Sequence, residues 1–355
     1  MHTSRYVVVG HRLALVDNGS VSHRSHSFLK RVSLRDTGAQ VEKTKLSLLN
    51  LRTSISRRRH YNNYWILKHA PRVLFKGLKR FARRAIWEVK IRSMQRLAEI
   101  PFPEVDRVAR SGRGLVILPV GVVEEHGAHL PLGLDSFAAE VYADSAAPHL
   151  EEKGYELVIA PTISYGVARA AIDFPGTLSL EPETLRSLVV DIGGSLARHG
   201  LDRLVILNGH RDLGHMKALD EARATLIAKK SARVLCVGFT CDPDLTAACY
   251  REGVPELSRS VRPDREGHGG EWETSLALHA FPEMVKRETI SQLDPNFDYD
   301  VEAFRGETQD YWTLSGGRGY FGSPQSGSAE TGKKVVAIRG RNIAQVILNA
   351  WGPAK

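Results

Sequence analysis

Gly114-Leu-Val-Ile-Leu-Pro-Val-Gly-Val-Val-Glu-Glu-His-Gly-Ala-His-Leu-Pro-Leu-Gly-Leu-Asp135 runs from an apolar segment straight into a group of polar donors. The part from Gly114 to Gly121 is short, apolar and bounded by glycines, the pattern of a strand covered on both faces. Glu124, His126 and Asp135 follow within a few turns of chain. Carboxylate oxygens mixed with imidazole nitrogens suit Zn²⁺ or Mn²⁺, whereas an all-oxygen calcium loop would not include the histidine.

Outward from this stretch the pattern is regular. Asp135 to Ala147 reads as a helix with Phe137, Ala138, Val141 and Tyr142 on one face and Pro148 closing it. Glu156-Leu-Val-Ile-Ala-Pro161 is a second strand. Glu181-Pro-Glu-Thr opens a helix with proline and acids in its first turn, running through Leu185, Leu188 and Val189 to Gly200. Asp202 to Asn208 is a third strand, Gly214 to Lys230 a helix, and Arg233 to Phe239 a fourth strand. Strands alternating with helices imply an α/β fold whose mostly parallel sheet is covered on both faces.

In such sheets ligands sit beyond the carboxyl ends of the strands. Glu124 and His126 follow the first strand, and Asn208-Gly-His210 follows the third, so residues remote in sequence reach one edge of the sheet. A third segment, His268-Gly-Gly-Glu-Trp-Glu-Thr-Ser275, supplies further donors. Taken singly, Glu124 reads equally as a turn acid, Asp135 as a helix N-cap and each histidine as a surface or core residue. Together, at these spacings, they read as a metal site. Glu125 lies between two donors, so strand alternation should turn it away from them. His129 suits a supporting role as well as a catalytic one, Asn208 would orient His210 or fix its turn, and Trp272 reads first as a core anchor and second as a substrate wall. Gly209, Gly269 and Gly270 would allow close approach of the backbone.

The chain has 355 residues, enough for a large core and more than one structural unit. No apolar run approaches the roughly 20 residues of a membrane-spanning helix. Cys236, Cys241 and Cys249 are few and lack a Cys-x-x-Cys spacing, which argues for a reducing, cytoplasmic setting and against a disulfide framework or thiolate zinc. The net charge of +9 is unevenly spread. Residues 1–84 hold about 19 Lys and Arg against about 3 Asp and Glu, leaving the remainder acidic. Nucleic acid is therefore not an expected partner of the main domain, residues 85–355. The basic head ends in Arg72-Val-Leu-Phe-Lys-Gly-Leu-Lys-Arg-Phe-Ala-Arg-Arg-Ala-Ile-Trp87, with Leu74, Leu78, Phe81 and Ala85 at helical spacing. The head reads as a poorly ordered extension, an organellar targeting segment, or a helix for an anionic membrane surface or phosphate.

The three motifs, in this order, resemble those of the creatininase (creatinine amidohydrolase) family. The resemblance covers roughly residues 95–345 and includes Phe174-Pro-Gly-Thr177 and Gly319-Tyr-Phe-Gly-Ser-Pro324. It implies a three-layer α/β/α fold, a homo-oligomer (often a hexamer), and two divalent ions of zinc, manganese or iron that serve amide hydrolysis. By resemblance, Glu124 and His210 would hold one ion, His126 and Glu273 the other, and Asp135 would bridge them. His268 resembles the acid/base histidine that returns a proton to the leaving nitrogen. Water between two such ions loses a proton near neutral pH and becomes the nucleophile. Glu273 is expected near the start of a helix from Thr274 to Ala280.

Departures from the family bear on the substrate. True creatininases carry a tryptophan four residues before the acid/base histidine, and Asp264 stands there, which argues against creatinine itself. They also place a metal-binding glutamate at the position of Asp212, whose shorter side chain leaves ligation open. Arg211 and Arg169 would favour an anionic small-molecule amide if they face the pocket. Relatives also include formamidopyrimidine-nucleotide deformylases and a peptidase that matures a small redox peptide. A lactone or keto-sugar hydrolase is a second reading, and a non-enzymatic protein binding through its basic head a third.

Overall fold

The computed structural model describes residues 5–9, 12–17, 20–21, 95–306 and 310–354. The chain divides into two units, Met1–Ala82 and Arg83–Lys355. In the first, strands β1 (Arg5–Val9), β2 (Arg12–Asp17) and β3 (Ser20–Val21) pair antiparallel in that order. The basic helix expected over 72–87, and most of the head with it, lies outside the described residues.

The second unit is built on a five-stranded sheet in the order β4-β6-β5-β7-β8. Its strands are β4 (Gln95–Arg96), β5 (Gly114–Val120), β6 (Glu156–Ile159), β7 (Arg203–Asn208) and β8 (Arg233–Gly238), and every pair is parallel. Register sets Val116 beside Val158 on one side and Leu204 on the other. The helices are α1 (Phe102–Arg110), α2 (Leu134–Glu152), α3 (Pro182–Arg198), α4 (Leu213–Ala228) and α5 (Pro243–Tyr250). They continue with α6 (Glu271–Ala280), the short α7 (Arg287–Ile290), α8 (Val301–Arg305) and α9 (Tyr311–Ser315), and α10 (Ala329–Trp351).

Alternation along the strands divides the core in two. Val116, Leu118, Leu204 and Ile206 point to one face, where α1, α3 and α4 cover them through residues such as Val108, Leu185 and Leu219. Leu115, Ile117, Val205 and Leu207 point to the other, under α2, α5, α6 and α10. Strands buried on both faces must be apolar throughout, which is why they read as continuous apolar runs. The fold is the expected three-layer α/β/α sandwich.

Two helix boundaries differ from expectation. Pro148 does not close α2 but lies inside it. An internal proline loses a backbone hydrogen bond and costs about 3 kcal/mol. Here Leu150 continues past it the buried face that Ala146 and Ala147 begin, and its packing holds the last turn in place. Helix α6 begins at Glu271, not Thr274, so both Glu271 and Glu273 fall in its first turn.

Ile206 is fully buried in the interior strand β7. Ile206→Ala is expected to lower unfolding free energy by roughly 2–5 kcal/mol in urea titrations, as a large-to-small core change does.

Candidate metal centre

The site forms where β5 and β7 end against the start of α2. After Val120 the chain enters a loop fixed by backbone bonds: Gly121 N donates to Ile163 O (2.9 Å), Glu124 N to Leu132 O (2.9 Å), and Leu178 N to Val123 O (2.9 Å). That loop delivers Glu124 and His126, and Asp135 stands in the first turn of α2. After β7, the Asn208 carboxamide closes the turn bearing His210. Its Oδ1 accepts from His210 N (2.9 Å), while Nδ2 donates to His210 O (2.8 Å) and Phe239 O (2.9 Å). Asn208 thus orients His210 and ties the ends of β7 and β8 together.

All five expected ligands converge. Asp135 is central: Oδ1 lies 3.3 Å from His126 Nε2 and Oδ2 lies 2.9 Å from His210 Nδ1. Glu124 Oε2 is 3.3 Å from His210 Nδ1, and Glu273 Oε2 is 3.7 Å from His126 Nε2. Glu124, Asp135 and His210 offer one set of donor atoms within 4.8 Å of one another; His126, Asp135 and Glu273 offer a second, and Asp135 belongs to both. Glu124, His126 and His268 make a third such set.

The histidine tautomers are already fixed. His126 Nδ1 donates to Glu124 O (3.1 Å) and His210 Nε2 to Val167 O (3.0 Å). Carbonyls only accept, so the outer nitrogen of each ring keeps its proton and the second nitrogen faces the carboxylates, the one a metal-bound histidine would use. Both oxygens of Glu124, Asp135 Oδ2 and His126 Nε2 are buried without a hydrogen-bond partner. Such groups are expensive to bury alone. A divalent cation in each donor set would satisfy them, so the residues fit the metal.

Electrostatics point the same way. Burial pulls the His126 imidazole down, but Asp135 and Glu273 outweigh it and hold it up at about 10. Burial likewise opposes, and Glu124 and Asp135 overcome, the rise of His210 well above the ordinary histidine range. Asp135 is held below the usual carboxylate range against its burial, by His126 and His210. The cluster thus favours positive charge beside its carboxylates, and metal binding replaces protons in that role.

His268 stacks on His126 (centroids 4.1 Å apart) and packs against Tyr311 (4.9 Å). Its Nε2 donates to Glu125 O at 2.5 Å, and Nδ1 faces Glu124 Oε2 at 3.8 Å. Glu125 belongs to none of the three donor sets, as alternation along the chain predicts. It does what the sequence reading missed: Oε1 stands 3.4 Å from His268 Nε2, so the acid turned from the carboxylate cluster supports the histidine behind it. His215, also missed, accepts from Val167 N at Nδ1 (3.2 Å) and sets its ring edge-on to His210 (5.1 Å). Its place in the first turn after His210 was the available signal.

Other candidates have supporting roles. His129 Nε2 meets Thr274 Oγ1 at 2.9 Å, and burial lowers the ring to about 4, so it stays neutral. Asp212 Oδ1 accepts from His215 N (2.8 Å) as the N-cap of α4, which occupies it away from the donor sets. Glu271 accepts from Arg259 N (2.6 Å) and Ser260 N (3.2 Å) and is fully buried, so it fixes a loop.

A cavity of about 430 Å³ opens from Asp135, His210, His268 and Glu273. Trp272 is half-buried and lines it, in the place of the substrate wall that was the second of its two sequence readings. Arg211 and Asp264 line it too; Arg169 does not, and pairs with Glu181 at the surface.

Fold and site together define an α/β/α protein with a carboxylate–imidazole centre at the carboxyl edge of a parallel sheet. A family model described as creatininase, creatinine amidohydrolase, matches residues 98–347. The chain belongs to the creatininase family of hydrolases. It is 29% identical over 272 residues to a creatinine amidohydrolase of Pseudomonas putida, covering 72% of this chain and 97% of that one. It is 32% identical over 174 residues to a mycofactocin precursor peptide peptidase of Mycolicibacterium smegmatis, covering 48% and 60% respectively. A solved creatininase in its manganese form matches with a TM-score of 0.56 at 25% identity, over 74% of this chain and all of that one. A creatininase variant of Zn-Zn type matches with a TM-score of 0.55 at 26% identity, over the same shares.

Glu271 and Glu273 separate structure from ligation. Glu271→Gln is expected to lower the melting temperature and leave zinc affinity nearly intact. Glu273→Gln should do the reverse, and Asn208→Ala should weaken zinc by roughly 10–100-fold in chelator competition, as loss of a supporting partner does.

Proposed function

We propose that this protein is an amidohydrolase using two divalent ions, Zn²⁺ or Mn²⁺, to cleave a C–N bond of a small or cyclic amide other than creatinine. The observation that carries this reading is Asp135, whose two oxygens face separate histidines and whose carboxylate is common to two donor sets. Glu124 and His210 would complete one site, His126 and Glu273 the other. Ions bound there supply acidification of a coordinated water and polarisation of the amide carbonyl.

The chain's own groups do the rest. His268 is held at Nε2 by the Glu125 carbonyl, and Nδ1 faces the cluster. It is the group placed to carry a proton to the leaving nitrogen. Tyr311 and the His126 ring confine the imidazole from its two faces, so its direction is set before substrate arrives. Tyr311 and Phe304 give the cavity an apolar aromatic wall beside the histidine. Asp264 lines the same cavity and is bound by Arg262 at 2.8 Å, which puts a charged residue where a creatinine-binding tryptophan is expected by resemblance. This favours a more polar substrate.

Purified protein loaded with zinc or manganese is expected to hold about two equivalents per chain, the count a dinuclear centre needs. A Glu124→Gln and Asp135→Asn double variant should hold neither. His268→Asn should keep the metal and lower amide turnover by roughly 10²–10⁴-fold, the usual worth of a general acid–base. A wild type that takes up neither ion overturns the reading.

A further inference from the structure

The wall of the cavity away from the metal ligands holds an arginine with no acid to pair with. Arg339, on α10, donates from Nη1 to Tyr142 Oη (2.6 Å) and from Nε to Tyr250 O (3.1 Å). Its guanidinium lies over the Tyr250 ring at 5.0 Å and the Tyr142 ring at 5.5 Å. Among the described residues it meets no carboxylate within ion-pair distance. Two of its five N–H donors are used, and the rest have no protein acceptor. Arg339 is half-buried and lines the cavity.

The acids of the same cavity are committed elsewhere. Asp264 is held by Arg262 (2.8 Å). Glu266 Oε2 accepts from Glu271 N (2.6 Å) and Ser323 N (3.2 Å). Glu273 accepts from Gly269 N (2.6 Å) and faces His126. An arginine held against a contacting pair of tyrosine rings (centroids 5.3 Å apart), with free donors and no counter-charge, is prepared for an anion, because its geometry is fixed before the ligand arrives.

Helix α2 gives the spacing. Asp135, Ala138 and Tyr142 all line the cavity, at intervals that place them on one helical face. Seven residues at 1.5 Å each set the Tyr142 backbone about 10 Å along α2 from that of Asp135, and its side chain, with the guanidinium bound to the hydroxyl, leans back toward the N-terminal end.

Resting on the amidohydrolase reading above, we propose that Arg339 recognises a carboxylate on the substrate, so that the natural substrate is an amide whose acid group is separated from the scissile bond by a chain of up to about 10 Å. Arg251 lines the cavity as well but is exposed, so solvent and salt screen it. Arg339 is the specificity-determining residue.

The test uses zinc-loaded, full-length protein and three hydroxamates titrated by calorimetry: suberic acid monohydroxamate, its terminal primary amide, and succinic acid monohydroxamate. The hydroxamate is the metal-binding end; the suberic chain reaches toward Arg339 and the succinic chain does not. The suberic acid form should bind roughly 10–100-fold tighter than its amide, the worth of a charged hydrogen bond. The succinic form should lack that advantage. Arg339→Met should abolish the margin and leave the amide's affinity unchanged, while Arg251→Gln should preserve it. Equal binding of acid and amide by the wild type overturns the proposal, and needs no variant to fold. So does a margin that survives Arg339→Met or disappears in Arg251→Gln. If no hydroxamate binds the zinc-loaded protein, the metal-site reading fails and this inference falls with it.

Discussion

The first turn of α2 presses directly on the ends of two strands, and the whole site follows from that contact. A side chain at Gly121 would put its Cβ 2.4 Å from Ser136 N, and one at Gly209 would put its Cβ 2.4 Å from Asp135 O. Neither approach is possible with any other residue. The glycines let the helix start sit within van der Waals contact of the chain leaving β5 and β7. Asp135 is thereby lowered between the loop bearing Glu124 and His126 and the turn bearing His210. A helix start displaced by one side chain would part the shared carboxylate from one of its two histidines.

Close approach alone would leave a costly arrangement. Glu124 and Asp135 are both buried, and Glu124 has no hydrogen-bond partner for either oxygen. Removing one of their cationic neighbours would strand a buried negative charge, the situation that makes broken buried pairs so destabilising. The surrounding structure does not relieve this with extra donors. Instead it spends its hydrogen bonds one layer out: Asn208 on the His210 backbone, Val167 O on the His210 ring, and Glu124 O on the His126 ring. Those bonds fix direction and leave the inner charges for a ligand to balance. Stability has been withheld from the centre, and orientation supplied around it.

Much of this was legible in the sequence for a simple reason. The strands are covered on both faces, so their apolar runs are continuous, and the donors fall at their carboxyl ends. Glu124, His126, Asp135, His210 and Glu273 each sit next to such an end or in a motif of fixed spacing. What stayed hidden depended on contacts between distant segments. Pro148 reads as a stop, yet the packing of Leu150 carries α2 past it. Glu125 was correctly turned from the carboxylate cluster, but only the return of the chain at residue 268 shows what it faces. Ligation by Asp212 was open from sequence, and its acceptance of the His215 amide as a helix cap shows what the carboxylate does instead. Arg339 lies far along the chain, on a helix whose sequence gives no hint that Tyr142 and Tyr250 will flank it.

That last case shows how the sheet and the helical layer over it divide the work. The carboxylate cluster rests on the ends of strands, where backbone hydrogen bonds fix position. Arg339 rests on α10, which packs on α2 and α6 through apolar residues such as Ile343, Ala146 and Leu276. The candidate metal centre is therefore anchored in the sheet, and the wall proposed to select a substrate is anchored in the helical layer above it. The two meet on one face of α2, where Asp135 belongs to the first and Tyr142 to the second. Substitutions at the end of α5 and in the middle of α10 can then reshape the far wall while the ends of β5 and β7 stay in place. A fold arranged this way can change what it hydrolyses without disturbing how it hydrolyses.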